Sequence, residues 1–424
     1  MTDIADEHTG VEQIAPTAPG ERILSLDFIR GIAVMGILAA NIVAFGQPFA
    51  AYMYPAAFLT EHGETSDWLL IAQFVLIDNK MRGLFTLLFG AGLYLFMERT
   101  WSRGGTRWRQ MWRLFVLLIF GLIHFFFIWY GDILLYYALL GFLIVPCLKW
   151  TAKTQLVTGL LGYLVGAILY AAMLTLPYLA AETSMGESGP FTEMRQGTLD
   201  AVQVALKDGE VETALIKSGD FAGQIGHRFS EHWADPLGNV MLFSLETLPL
   251  MMLGVALYRF GFFSGGFASR KMRMWGWIGV SIGSAWFLAL GIWLKSVGFS
   301  YYAMLAAFVG WSAIPQLMMV VGLAALMVEY SPGWTGWFAE RVRAAGRAAF
   351  TNYLGTSIVM LFVFQAWGLG LFGQLNRPQL YIVTLLAWGL MLLWSKPWLD
   401  RYRYGPLEWL WRCMTYGKIF PLKR

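Results

Sequence analysis

Ionisable side chains that interrupt long apolar runs are the residues of this sequence best placed to do chemistry. His124 stands in Gly121-Leu122-Ile123-His124, and Asp132 follows after the short connection Tyr130-Gly131. A carboxylate brought to an imidazole across such a hairpin orients the ring and raises its basicity, which suits His124 to act as a general base. The alternative is a structural His124 bonded to a carbonyl or to Tyr136. Asp78, Lys80 and Arg82 interrupt a second run. Charges inside an apolar run mark an interior cavity or a partner contact. The plainer reading is a neutralising Asp78–Arg82 pair at i, i+4.

Asp27 and Arg30 lie at i, i+3 on one face at the start of the first apolar run, with Asp27 near the positive end of the helix. They suit an anion site or a capping and snorkelling pair equally. Asn41 lies deeper on the same helix. Glu246 sits mid-run, as a proton site or ligand contact, and burial would favour its protonated form. Asn352 and Gln365 read as interhelix hydrogen-bonders. His227 and His232, near Glu231 and Asp235, are five residues apart and miss the i, i+4 helical face of zinc enzymes, so no metal is expected. No nucleophile elbow, P-loop or dinucleotide glycine motif stands in a sensible context.

The elements that must position these residues follow from composition. Of 424 residues, 57% are hydrophobic and 14% charged. Soluble domains carry about 45–50% apolar and about 25% charged residues. That difference excludes a soluble enzyme, a disordered chain and a nucleic-acid binder. Two Cys exclude a disulfide scaffold, while 20 Trp and 46 Gly suit a polytopic helical membrane protein. A membrane helix needs about 20 mostly apolar residues. Ten runs qualify: 28–45, 67–97, 111–129, 133–148, 156–180, 237–257, 274–294, 302–328, 349–370 and 380–394. The second run is long, and its charged interruption predicts a broken or partly re-entrant helix. The fold expected is an all-α bundle. It divides into a flexible cytoplasmic tail (1–21), an N-terminal bundle (22–180), an acidic extracytoplasmic loop (181–236) and a C-terminal membrane unit (237–424). The tail lacks the features of a cleaved signal peptide.

Lys and Arg orient the bundle. With the N-terminus inside, 23 of the 31 fall on inner segments and six on outer ones. The positive-inside rule then gives N-in and C-in. Cys147 and Cys413 fall at inner ends, where thiols stay reduced. The outer loop 181–236 carries ten acids against four bases, and patches such as 197–205 predict short surface helices.

Five stretches carry a resemblance. They are Ser25–Gly31 (SLDFIRG), Leu84–Gly92 (LFTLLFGAG), Gly121–Gly141, Ala345–Ser357 (AGRAAFTNYLGTS) and, most specifically, Tyr404–Lys418 (YGPLEWLWRCMTYGK). They look like the YeiB family of bacterial inner-membrane proteins, which carries a C-terminal domain of unknown function. That family is remotely similar to the transmembrane acyltransferases, which move an acyl group from a coenzyme A thioester to a hydroxyl or amine across a membrane. Asp27-x-x-Arg30-Gly31 resembles their opening motif. Their chemistry relies on a membrane-embedded His; here His124 is the candidate, and His62 in the outer loop is its rival.

The resemblance implies an acyl transfer at the outer side of the membrane. His124 would be the base, Asp132 its orienting group, acyl-CoA the co-substrate, and a small molecule, lipid or sugar the acceptor. Lys80, Arg82, Asp78, Asp27, Arg30, Asn41 and Glu246 are the candidate donor and substrate contacts. Arg103, Arg107 and Arg109 form a basic patch that suits acyl-CoA or anionic lipid. No tightly bound cofactor is implied. The alternative is a transporter or permeation protein, lined by the interrupted second helix, Glu246 and the polar ninth helix. A further reading is a structural subunit whose acidic loop binds a partner.

Overall fold

A computed structural model describes residues 23–424; the tail 1–21 lies outside the described residues. Helices form throughout, and no strand occurs among the described residues. In chain order they are α1 (Leu24–Gly46), α2 (Glu64–Leu76), α3 (Lys80–Trp101) and α4 (Arg107–Ile123), which runs on into a π-helical turn, His124–Ile128. Then come α5 (Leu134–Ile144), α6 (Ala152–Glu182), α7 (Phe191–Ser218), α8 (Phe221–Glu231) and α9 (Asp235–Arg259). The last are α10 (Ser269–Ser296), α11 (Tyr301–Leu305), α12 (Ala313–Tyr330), α13 (Trp337–Arg347), α14 (Ala349–Phe364), α15 (Arg377–Arg401) and α16 (Pro406–Tyr416).

All ten apolar runs are helical over most of their length, and the ninth leaves the helix after Phe364. Among the described residues, eight helical stretches are long and apolar enough to cross a membrane on their own. A ninth forms if α13 and α14, which meet at 87°, count together. The run at 133–148 is the shorter helix Leu134–Lys149. The outward sides of α6, α10 and α15 confirm the solvent they were built for. Leu161, Val165 and Ile168 on α6, Trp275 and Ile282 on α10, and Leu385 and Leu386 on α15 are all more than half exposed. Such apolar surfaces are stable against lipid and not against water.

α1 is the axis of the bundle. It is buried along almost its whole length and packs against α3, α12, α13, α14 and α15. Glycines set the tightest crossings. A Cβ on Gly90 of α3 would strike the Met251 carbonyl of α9, and one on Gly254 of α9 would strike the Leu87 carbonyl of α3. Small residues that let backbones meet are the usual glue between helices in lipid.

The second run is interrupted as its charges predict. The backbone breaks at Ile77–Asn79, with Asn79 left-handed at φ 62°, and then resumes as α3. The acidic segment 181–236 folds into α7 and α8, longer helices than its short amphipathic patches suggest. They cover one end of the bundle. Arg228 donates to the carbonyls of Phe126 and Ile128 at 3.3 and 3.2 Å, and Gln224 and Gln365 exchange amide bonds at 2.9 and 2.8 Å.

Candidate functional site

At the covered end, α4 delivers His124 and the loop before α5 delivers Asp132. His124 Nδ1 lies 2.7 Å from Asp132 Oδ2, and neither side chain is exposed. Asp132 Oδ1 accepts the backbone N–H of Leu135 at 2.7 Å. One carboxylate therefore anchors the start of α5 and fixes the imidazole. With Nδ1 engaged, Nε2 is the nitrogen left over, and it is buried without a hydrogen-bond partner. The short connection Tyr130-Gly131 lets the carboxylate return to the imidazole eight positions back. The π-helical turn at His124 is a local unwinding of a kind that recurs at functional sites.

Two aromatic rings flank the imidazole: Tyr353 at 5.3 Å and Trp129 at 6.4 Å between centroids. Both also line a narrow cleft between α1 and α14, whose polar edge is Asn41, Thr356 and Ser357. Phe45 stacks on Trp129 at 4.0 Å and helps close the cleft. Its free space is about 10 Å³, roughly the room one water needs. Asn41, expected on the first helix, thus joins the His124 region.

Lys80 and Arg82 do not share this cleft, contrary to the arrangement expected for donor contacts. Lys80 is fully buried elsewhere; its ammonium meets the Phe74 carbonyl and lies 3.1 Å from the centroid of the Phe287 ring. Arg82 pairs with Glu246 at 2.7 Å, and Gln316 donates to the other Glu246 oxygen at 2.8 Å. The i, i+4 pairing of Asp78 with Arg82 gives way to these longer-range partners. Asp78 instead accepts from Gln73 at 2.9 Å. Gln73 in turn accepts from Arg377 at 3.1 Å and from the Tyr381 hydroxyl. Asp27 and Arg30 sit 3.4 Å apart at the far, basic end of α1. Asn352 bonds Ser395 and the Ala345 carbonyl between helices, as its type suggests.

His62 forms a second His–carboxylate contact, 3.3 Å from Asp67, which also takes Lys295 at 3.1 Å. Burial, together with the charge of Arg377, holds its imidazole below the usual range. Its carboxylate is shared with a cation, whereas Asp132 serves His124 without one.

Asp208, His227 and His232 are the metal-ligand types that converge among the described residues, with ligand atoms within 4.8 Å. Asp208 receives both imidazoles, at 2.8 and 3.3 Å, and Asp235 holds the other nitrogen of His232 at 2.8 Å. The donor set is of a kind that takes zinc, but its atoms already satisfy one another. Hydrogen bonding to Asp208 raises His232 to about 9, and the same contact lowers Asp208. Sequence spacing missed Asp208 because it comes from α7. It also missed Arg377, which reads as a loop cation yet is 1% exposed. Its only sequence signal is Asn376-x-x-Gln379, a capping box that starts α15 at that point.

Residues 257–418 match a family model described as a protein of unknown function, DUF418. Over 95% of its length the chain is 32% identical to the uncharacterized protein YeiB of Escherichia coli (strain K12), covering 98% of that protein. It is 29% identical to the uncharacterized protein YxaH of Bacillus subtilis (strain 168), over 98% of this chain and 99% of the relative. An uncharacterized 39.9 kDa protein in the amylase 3′ region of Bacillus acidopullulyticus is 25% identical over 96% and 97%. No solved structure matches. Near-complete coverage of the E. coli protein and the C-terminal family match agree: this chain belongs to the YeiB family.

Proposed function

We propose that the protein is a membrane-embedded acyltransferase with His124 as its general base. The observation that supports this is the fully buried His124–Asp132 pair with its unpartnered Nε2, flanked by Tyr353 and Trp129, two rings that also line the polar-edged cleft. An acceptor hydroxyl or amine gives its proton to Nε2 as its heteroatom attacks the thioester carbonyl of an acyl-CoA. Asp132 stabilises the imidazolium that forms. The tetrahedral intermediate then breaks its C–S bond, and the leaving thiolate takes the proton back from Nε2. The Asn41 amide and the Tyr353 hydroxyl are the donors nearest to hand for the oxyanion. A lipid or sugar hydroxyl is the acceptor class. The membrane is the bacterial inner membrane, with both termini cytoplasmic by the Lys/Arg bias.

Detergent-purified protein incubated with labelled acetyl-CoA and a panel of sugar and lipid acceptors tests the reading. Transfer is expected in the wild type, at least about a hundredfold lower in His124→Ala, and unchanged in His62→Ala. Transfer that survives His124→Ala overturns it. Solute flux into proteoliposomes that survives His124→Ala, with no transfer by any chain, favours the transporter instead.

A further inference from the structure

A larger cavity lies at the opposite, basic end of the bundle, about 220 Å³ in volume. Three arginines reach its wall: Arg30 from α1, Arg113 from α4 and Arg347 from α13. Arg113 is half-buried. Its guanidinium is held between the rings of Phe96 and Trp411, at 4.6 and 4.4 Å from their centroids. Among the described residues no carboxylate lies within ion-pair distance of it, whereas Arg30 on the same wall already pairs with Asp27 at 3.4 Å. Gln110, one turn away on α4, is completely buried on the same wall, and neither atom of its amide has a hydrogen-bond partner. Glu408 is the one acid on the wall, and its oxygens are already taken by the N–H groups of Phe350 and Thr351 and by the Thr351 hydroxyl. The remaining wall is apolar, with Phe85, Leu88 and Phe89 of α3 opposite the cations.

The geometry points to a binding site for the phosphate group of an amphiphile. The Arg113 guanidinium and the idle Gln110 amide offer donors to an anion, and the α3 side offers surface to a chain. The volume is below that of a site for a whole drug-sized ligand, so it suits a phosphate and the beginning of its chain. Four of the five stretches that carry the family resemblance supply walls: those containing Arg30, Phe89, Phe350 and Trp411. The cavity also lines up with the cleft beside His124. Arg30 leads to Val34 and Asn41 along one side of α1, and Phe350 leads to Tyr353 on α14, a rise of roughly 16 Å from Arg30 to Asn41. An anionic phospholipid and a long-chain acyl-CoA both have this chemistry. Binding at this site does not depend on the acyl-transfer reading.

Native mass spectrometry of the full chain in detergent, with added phosphatidylglycerol, palmitoyl-CoA or zwitterionic phosphatidylethanolamine, tests the site. The wild type is expected to retain one of the two anionic amphiphiles over phosphatidylethanolamine, and which one identifies the source. Gln110→Glu, close in size and adding a negative charge, and Arg113→Gln are each expected to weaken retention about tenfold. His124→Ala is expected to bind like the wild type, so loss of transfer and loss of binding are separable. No preference for either anionic amphiphile, or equal retention in the wild type and Gln110→Glu, overturns the proposal.

Discussion

Asp132 carries two tasks that substitution can separate. Its Oδ1 anchors the Leu135 N–H and its Oδ2 orients His124. An Asn there keeps an acceptor for Leu135 but turns an amide N–H toward Nδ1, which forces the proton onto Nε2. Asp132→Asn should therefore fold normally and lose transfer about as severely as His124→Ala. Thermal unfolding measured beside turnover checks this, since equal losses of both would mark Asp132 as purely structural. Arg82 behaves differently, because it answers Glu246, which is almost fully buried. Arg82→Met strands that carboxylate and should destabilise by about 3–5 kcal/mol, while the double variant Arg82→Met/Glu246→Leu should recover much of the loss. Melting temperatures of the three chains in one detergent decide it. The His124–Asp132 contact was legible in the sequence because only a tight connection separates its partners. The Arg82–Glu246 contact was not, because 164 positions separate them, and an intramembrane charge announces that it needs a partner without saying which.

Two helices take their first-turn stabilisation from carboxylates far away in the chain. α11 and α14 have no side-chain cap of their own. Glu182 of α6 accepts the N–H groups of Tyr302 and Ala303 at 2.7 and 3.0 Å, and Glu408 accepts those of Phe350 and Thr351 at 2.7 and 3.1 Å. Burial raises the Glu408 carboxyl even though these bonds favour its charged form. Glu408→Ala should cost about 2 kcal/mol, with Glu408→Gln in between, as read from thermal melts. The crossing of α3 and α9 is less forgiving. Gly90→Val places a branched side chain on the Met251 carbonyl, whereas a Cβ on Gly92 meets nothing within 4 Å. Gly90→Val should abolish a monodisperse gel-filtration peak that Gly92→Ala retains. Apolar runs in the sequence mark these helices well, since hydropathy is local. Their crossings and borrowed caps depend on distances that no local pattern encodes.

The bundle has two unlike ends, and each answers to a different solution variable. The end covered by α7 and α8 is tied down through the cluster of Asp208, His227 and His232. His232 is raised to about 9 from a usual 6.5. Its contribution is therefore complete below about pH 6.5 and lost as the pH rises through about 9. Asp208, held low, contributes above the ordinary carboxylate range and loses its part only in acid. Amide hydrogen exchange in α7 and α8, corrected for intrinsic rates, should stay slow at pH 6 and quicken near pH 9. Unchanged protection would remove the cluster from the cover's stability. The basic end was legible as a Lys/Arg bias, but that count could not show three arginines converging on one cavity.

The contact of Glu408 with α14 also sets a timetable for making the protein. Glu408 follows Phe350 by 58 residues. At about 5–20 residues per second of synthesis, the turn between α13 and α14 waits roughly 3–12 s for its carboxylate. During that interval α14 begins without its cap, and the cavity lacks the wall that Trp411 provides. Maturation of the basic end thus waits on a segment made well after the helix it caps, and a bundle assembled as far as α15 still has an open floor until α16 arrives.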